Sequence, residues 1–139
     1  MLNNRITKNI PGKVSFTFDT WTSEAGDPYL LMMGHYISSS KEHPQDWKLK
    51  SEQLSFTYTE GNHSGANLGG ILIRTIDKYA ICAKVSVFKH FVCQISYLYK
   101  KIGWFTANNA SNNFSAIREV GRQLKDDFAE WDPKQHYIQ

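Results

Sequence analysis

The chain has 139 residues, 41% of them apolar and 14% aromatic, with a formal net charge of +3. That is one domain's worth of protein with enough apolar surface for a core, which excludes a disordered polymer. No apolar run approaches the ~20 residues of a membrane-spanning helix, and MLNNRITKNIPGK lacks the apolar core of a signal peptide, so the sequence reads as soluble and intracellular, with no membrane partner.

Residues 1–12 read as a disordered or loop N-terminus ending in Pro11-Gly12. From Lys13 to Thr20 apolar and small polar residues alternate, which predicts a strand with Val14, Phe16 and Phe18 on one face. A turn cluster, Glu24 to Pro28, leads into the largely apolar run Tyr29–Ile37, the kind of strand a sheet centre needs. The polar stretch Ser38–Asp46 is a loop, and Trp47–Thr59 alternates again as a third strand. Short connections make these three an antiparallel meander.

The period then changes. Leu68, Ile71, Leu72, Thr75, Ile76 and Tyr79 form a helical stripe, with Ser64 or Asn62 as its N-cap. Ile102–Thr106 is a short apolar strand, the type that pairs in parallel after a helical crossover. Asn112 is placed to cap a second helix over Asn113–Phe128, whose apolar face carries Ala116, Ile117, Val120, Leu124 and Phe128. The order is β-β-β-α-β-α, a mixed α/β sheet with helices packed on it. Cys82 and Cys93 fit neither metal-ligand spacing nor a CxxC motif and read as inert thiols.

Several segments in order carry a resemblance. Phe18-Asp19-Thr20-Trp21-Thr22-Ser23, Tyr29 through Ile37, Trp47-Lys48-Leu49, His63-Ser64-Gly65 and Ile102 through Asn113 resemble successive motifs of hAT-superfamily DNA transposases, over roughly residues 12–138. The resemblance implies a ribonuclease-H-like fold, here the N-terminal part of the catalytic domain with an incomplete sheet. It also implies metal-dependent DNA strand cleavage and transfer, with Mg²⁺ or Mn²⁺ held by three acidic residues, and a nuclear location. Two divalent ions can activate an attacking oxygen and stabilise a leaving one, and such hard cations require charged oxygen ligands.

On that resemblance Asp19 corresponds to the first catalytic acid and metal ligand. Read without it, Asp19 is a strand-ending Asp that caps the following turn. Asn108 falls where the family has the second acid, within Thr-x-Asp-Asn-Ala-Ser. An amide oxygen brings no charge, so the family chemistry is expected to fail here, with Mg²⁺ or Mn²⁺ not productively bound. The third acid of the family lies far downstream. Glu119, Asp126, Asp127 and Glu130 read instead as a solvated helical face. Thr22, His63 and Asn109 are the candidates for contact with DNA, a partner expected to be bound weakly. His35 reads as a hydrogen-bonded histidine of the sheet, and Trp21, Trp47 and Trp104 as core residues rather than base-stacking platforms.

Val85–Lys100 fits the pattern least well. It is apolar and β-prone, and Ala83-Lys84 would join Lys101-Ile102 without it. It reads either as an additional strand or surface insertion, or as a translated retained intron, since Val-Ser-Val is how an in-frame GTAAGTGT donor would translate. Three functional expectations stand: a truncated, catalytically inactive transposase-like domain with residual DNA binding; a domesticated DNA- or protein-binding module; or a fragment of an active transposase whose reading frame continues at both ends. The first expects the family's homodimerisation region to be absent, and it expects an open sheet edge and an uncovered apolar face that limit stability.

Overall fold

The computed structural model describes residues 10–60, 64–80, 102–108, 110–125 and 132–138. Three strands come first: β1 (Val14–Thr22), β2 (Pro28–Ser38) and β3 (Lys48–Tyr58). Helix α1 (Gly65–Ala80), strand β4 (Ile102–Thr106), helix α2 (Ser111–Lys125) and the short strand β5 (Tyr137–Ile138) follow. The sheet runs β3-β2-β1-β4-β5. β1 pairs antiparallel with β2 from Val14↔Tyr36 to Thr22↔Pro28, and β2 pairs antiparallel with β3. β4 joins the other side of β1 in parallel, and β5 joins β4 in parallel. The mixed α/β architecture read from the sequence is therefore the observed one, and the sheet does not close.

Alternation along the strands decides which face is covered. Val14, Phe16 and Phe18 on β1 and Leu30, Met32 and Tyr36 on β2 point to one side and are buried. They share one apolar cluster with Leu68, Leu72 and Ile76 of α1, Ile102 and Phe105 of β4, and Ile117, Val120 and Leu124 of α2. Phe16 and Phe105 meet across the parallel pair with ring centroids 5.1 Å apart. Both helices thus lie on the same face of the sheet, each presenting the stripe its period predicted.

Two glycines let the helices approach closely. A Cβ on Gly69 would stand 2.7 Å from the Glu119 Cβ and 2.8 Å from the Ala116 carbonyl oxygen, and one on Gly65 would collide with the Ser115 side chain and backbone. Ser64 caps α1 by accepting a hydrogen bond from the Asn67 amide at 3.3 Å. Gly26, at φ 89°, supplies the left-handed residue of the β1–β2 turn, which Ser23 closes by accepting the Gly26 amide at 2.9 Å.

Three expectations are corrected. The second helix starts at Ser111, so Asn112 lies inside it instead of capping it. The Asn113 amide donates to the Ala110 carbonyl at 3.0 Å and closes a first turn two residues early. A fifth strand exists: two residues were too short for any period, but the Phe105 amide reaches the His136 carbonyl at 2.8 Å and recruits the tail to the sheet. Finally, Trp21, Trp47 and Trp104 are exposed, at 38%, 63% and 46%, and not core. Trp21 and Trp104 alternate onto the face the helices leave uncovered.

Residues 1–9, 61–63, 81–101, 109, 126–131 and 139 lie outside the described residues, and with them Asn62, His63, Cys82, Cys93, the 85–100 segment, Asn109, Asp126, Asp127, Phe128 and Glu130. No helix among the described residues is long and apolar enough to cross a membrane.

Candidate functional site

Asp19 follows the buried Phe18 on β1, so the pleat turns its carboxylate to the uncovered face, where it is exposed. Parallel pairing brings Thr17 of β1 opposite Thr106 of β4. Two residues further along each chain, Asp19 and Asn108 arrive side by side. The Asn108 Nδ2 donates to the Asp19 Oδ1 at 3.1 Å. The same carboxylate oxygen accepts the Thr20 amide at 2.9 Å, the local turn contact expected of an Asp at a strand end.

The orientation of the Asn108 amide is fixed by partners of unambiguous character. A carboxylate only accepts and a backbone N–H only donates. Nδ2 must therefore face Asp19, and Oδ1 must face the Ala110 amide, which reaches it at 3.3 Å. Asn113, fully buried in the first turn of α2, adds a third constraint. Its Nδ2 donates to the Asn108 Oδ1 at 2.6 Å and to the Asn108 carbonyl oxygen at 3.2 Å. The Tyr137 hydroxyl donates to that carbonyl at 3.4 Å, and burial raises the Tyr137 pKa above its ordinary value. Residue 108 is thus held from α2 and β5 and aimed at β1.

Asn113 was not singled out from the sequence, although a signal was present. It occupies the first position of the stripe Asn113, Ala116, Ile117, Val120, Leu124, and a polar residue on an apolar face needs a partner. Its own Oδ1 is buried and has no partner among the described residues. Thr22 is exposed at the end of β1, opposite Pro28. His63 and Asn109, the other DNA-contact candidates, lie outside the described residues.

The remaining polar candidates are used structurally. The two ring nitrogens of His35 lie 2.8 Å from the Thr17 hydroxyl and 2.9 Å from that of Ser51, a row of side chains across β1, β2 and β3. Glu119 accepts from the Arg122 guanidinium at 2.6 and 2.9 Å and from Gln123 at 2.8 Å. These hydrogen bonds, with that to Arg122 foremost, hold its pKa down at about 2. Among the described residues no three His, Cys, Asp or Glu side chains converge as a metal-holding group. Asp19 has an amide N–H facing it, a group that repels a cation. This donor set does not match the three carboxylates implied by the resemblance.

The chain matches the family described as the ZBED1 RNase-like domain over residues 17–97. It belongs to that family. The RNase-like match takes in Asp19 and runs from β1 through α1, stopping short of Asn108. Among curated proteins the chain is similar to the AC and AC9 transposases of Zea mays, each 25% identical over 119 residues, 86% of this chain. It is also similar to the transcriptional regulator tpeD of Talaromyces stipitatus, at 22% identity over 113 residues, 81% of this chain. The chain spans only 11–12% of the length of these relatives. No solved structure matches it. The resemblance to hAT-type transposases read from the motifs is thereby supported by family and relatives alike, and the mixed five-stranded sheet is that of an RNase-like domain.

Proposed function

We propose that this chain is a hAT transposase-related RNase-like domain that keeps the scaffold of DNA strand transfer without the chemistry, and that it contacts DNA weakly. One observation carries the reading: the group beside Asp19 is an amide that donates to it at 3.1 Å. The resemblance read from the motifs implies a second carboxylate at that place. A charged pair at that place draws in a divalent cation, since two like unit charges about 4 Å apart repel by ~4 kcal/mol at the effective dielectric of a protein surface. The amide removes that repulsion, and with it the demand for Mg²⁺ or Mn²⁺. Asp19 and Asn108 are then the remnant of a catalytic pair, and Thr22, His63 and Asn109 remain candidates for DNA contact. A nuclear location accompanies this reading.

The test is a nicking and strand-transfer assay with purified protein in Mg²⁺ and in Mn²⁺. No product above background is expected. Reproducible product that disappears with Asp19→Ala would overturn the proposal.

The similarity to a transcriptional regulator favours a second reading, a module that binds DNA without acting on it. Affinity for duplex DNA measured across a salt series separates the two. Phosphate contacts give a slope of log K against log salt of about −0.9 per neutralised phosphate. A regulator should also discriminate among sequences, whereas a remnant should not.

A further inference from the structure

We propose that the Asn108 amide, aimed by the buried Asn113, acts as an uncharged clamp between β1 and β4 in the place of a cation. A single atom then keeps the site from being a divalent-cation site. The inference rests on the reading of Asp19 and Asn108 as a former acidic pair, and it adds what now holds the pair together and what would reverse it.

Four contacts of residue 108 have no preference between Asn and Asp. The Ala110 amide and the Asn113 Nδ2 both donate to Oδ1, an atom the two side chains share. Asn113 and the Tyr137 hydroxyl also donate to the backbone carbonyl of residue 108. The cradle is therefore built for an oxygen acceptor and accommodates either residue unchanged. Only the contact with Asp19 discriminates. The atom 3.1 Å from the Asp19 Oδ1 is a donor nitrogen in Asn and would be a second acceptor oxygen in Asp. Two carboxylate oxygens at that separation must share a proton or bind a cation. An N–H···O bond has no such requirement.

Asn113 is the positioning residue. With its Nδ2 on Oδ1, the Asn108 amide cannot turn over without setting two N–H donors against each other. Its fully buried side chain carries an Oδ1 with no partner among the described residues, so the two bonds it donates are made at some cost. Removing Asn113 would release the amide to present its oxygen towards Asp19 part of the time.

The experiment uses the full chain, with Mg²⁺ or Mn²⁺ alone as the probe. Thermal melts are recorded with and without saturating cation for the natural protein, Asn108→Asp and the double variant Asp19→Asn/Asn108→Asp. The natural protein and the double variant should show no cation-dependent shift. Asn108→Asp should melt lower than the natural protein without metal and rise by several degrees when cation is added. A cation-dependent rise in the natural protein that vanishes with Asp19→Asn would overturn the inference. So would a folded Asn108→Asp that ignores both cations.

A measurement on the natural chain keeps the inference testable should Asn108→Asp not fold. The Asn108 side-chain NH₂ resonance should keep its linewidth as Mn²⁺ is added. Selective paramagnetic broadening of that signal, absent in Asp19→Asn, would sink the clamp. The two proposals can also fail separately: a natural chain that binds Mn²⁺ through Asp19 without nicking DNA contradicts only the clamp. One that nicks DNA independently of Asp19 while Asn108→Asp gains cation dependence contradicts only the functional reading.

Discussion

Phe18 and Phe56 are the same side chain on opposite faces of one sheet. Phe18 on β1 is 1% exposed beneath the helices, whereas Phe56 on β3 is 53% exposed on the other side. Around Phe56 an aromatic group lies open. Tyr29 stacks on it at 5.3 Å between ring centroids, Trp21 meets it tilted at 5.4 Å, and Tyr58 meets Tyr29 edge-on at 5.9 Å. On the covered face, packing fixes each residue through many neighbours. On the open face, position is set by pairwise ring contacts and by hydrogen bonds such as the one between Asn108 and Asp19. The candidate site belongs to the open face, so one amide or one carboxylate can change its character without disturbing the core.

The contrast is broken most sharply by truncating both rings. Phe18→Ala should cost about 3–5 kcal/mol, a large part of the stability of a domain this size, and should be read as a lowered urea midpoint or loss of cooperative unfolding. Phe56→Ala should cost no more than about 1.5 kcal/mol, the worth of its ring contacts. Equal costs would show that the open face is in fact covered in solution.

A second test lies wholly on the covered face. Gly69→Ala would ordinarily gain about 1 kcal/mol of helix propensity. Here the added methyl meets the Glu119 Cβ and the Ala116 carbonyl oxygen below 3 Å. A backbone atom cannot swing aside, so the steric cost of about 1–3 kcal/mol should win. A raised melting temperature would mean that α1 and α2 sit farther apart than described.

Asn113 links the two faces, since it is buried under the helices and bonded to the site. Asn113→Ala should cost about 1 kcal/mol. That is the low end for a buried polar side chain, because its unpartnered Oδ1 is lost along with the two bonds it donates. Denaturant unfolding gives the cost. An unchanged Asn108 side-chain NMR signal in the same variant would break the link between core and site.

The covered face was the legible part of the sequence. Val14, Phe16 and Phe18 alternate, and Leu68, Ile71, Leu72 and Ile76 recur with helical spacing, because burial imposes a period on whatever is buried. Placing Asp19 beside Asn108 required a parallel register between strands about 90 residues apart, which only the family resemblance supplied before the structure did. Exposed aromatics misled for the opposite reason. Trp21 and Trp104 have the chemistry of core residues, and nothing local says that their side of the sheet lacks a cover. β5 escaped because a two-residue strand is defined by its neighbour β4 and not by its own pattern.

The smallest effect concerns the charge of Glu119, whose Cβ lies against Gly69 of α1 while its carboxylate pairs with the exposed Arg122. Arg122 and Gln123 hold the Glu119 pKa at about 2 in the folded chain, against an ordinary 4.5. A depressed carboxylate pKa contributes stability that is fully present above about pH 4.5 and is lost as the pH falls towards 2. The Arg122 side chain is 68% exposed, so solvent screening reduces that contribution to about 0.3–0.5 kcal/mol, the usual worth of a surface pair one helical turn apart. Glu119→Gln should therefore be slightly less stable near neutrality and should lose less on acidification between pH 4.5 and 2. The difference should shrink further at high salt. Urea midpoints of the two proteins across that pH range decide the matter, and parallel curves would show that the ion pair does not persist in solution.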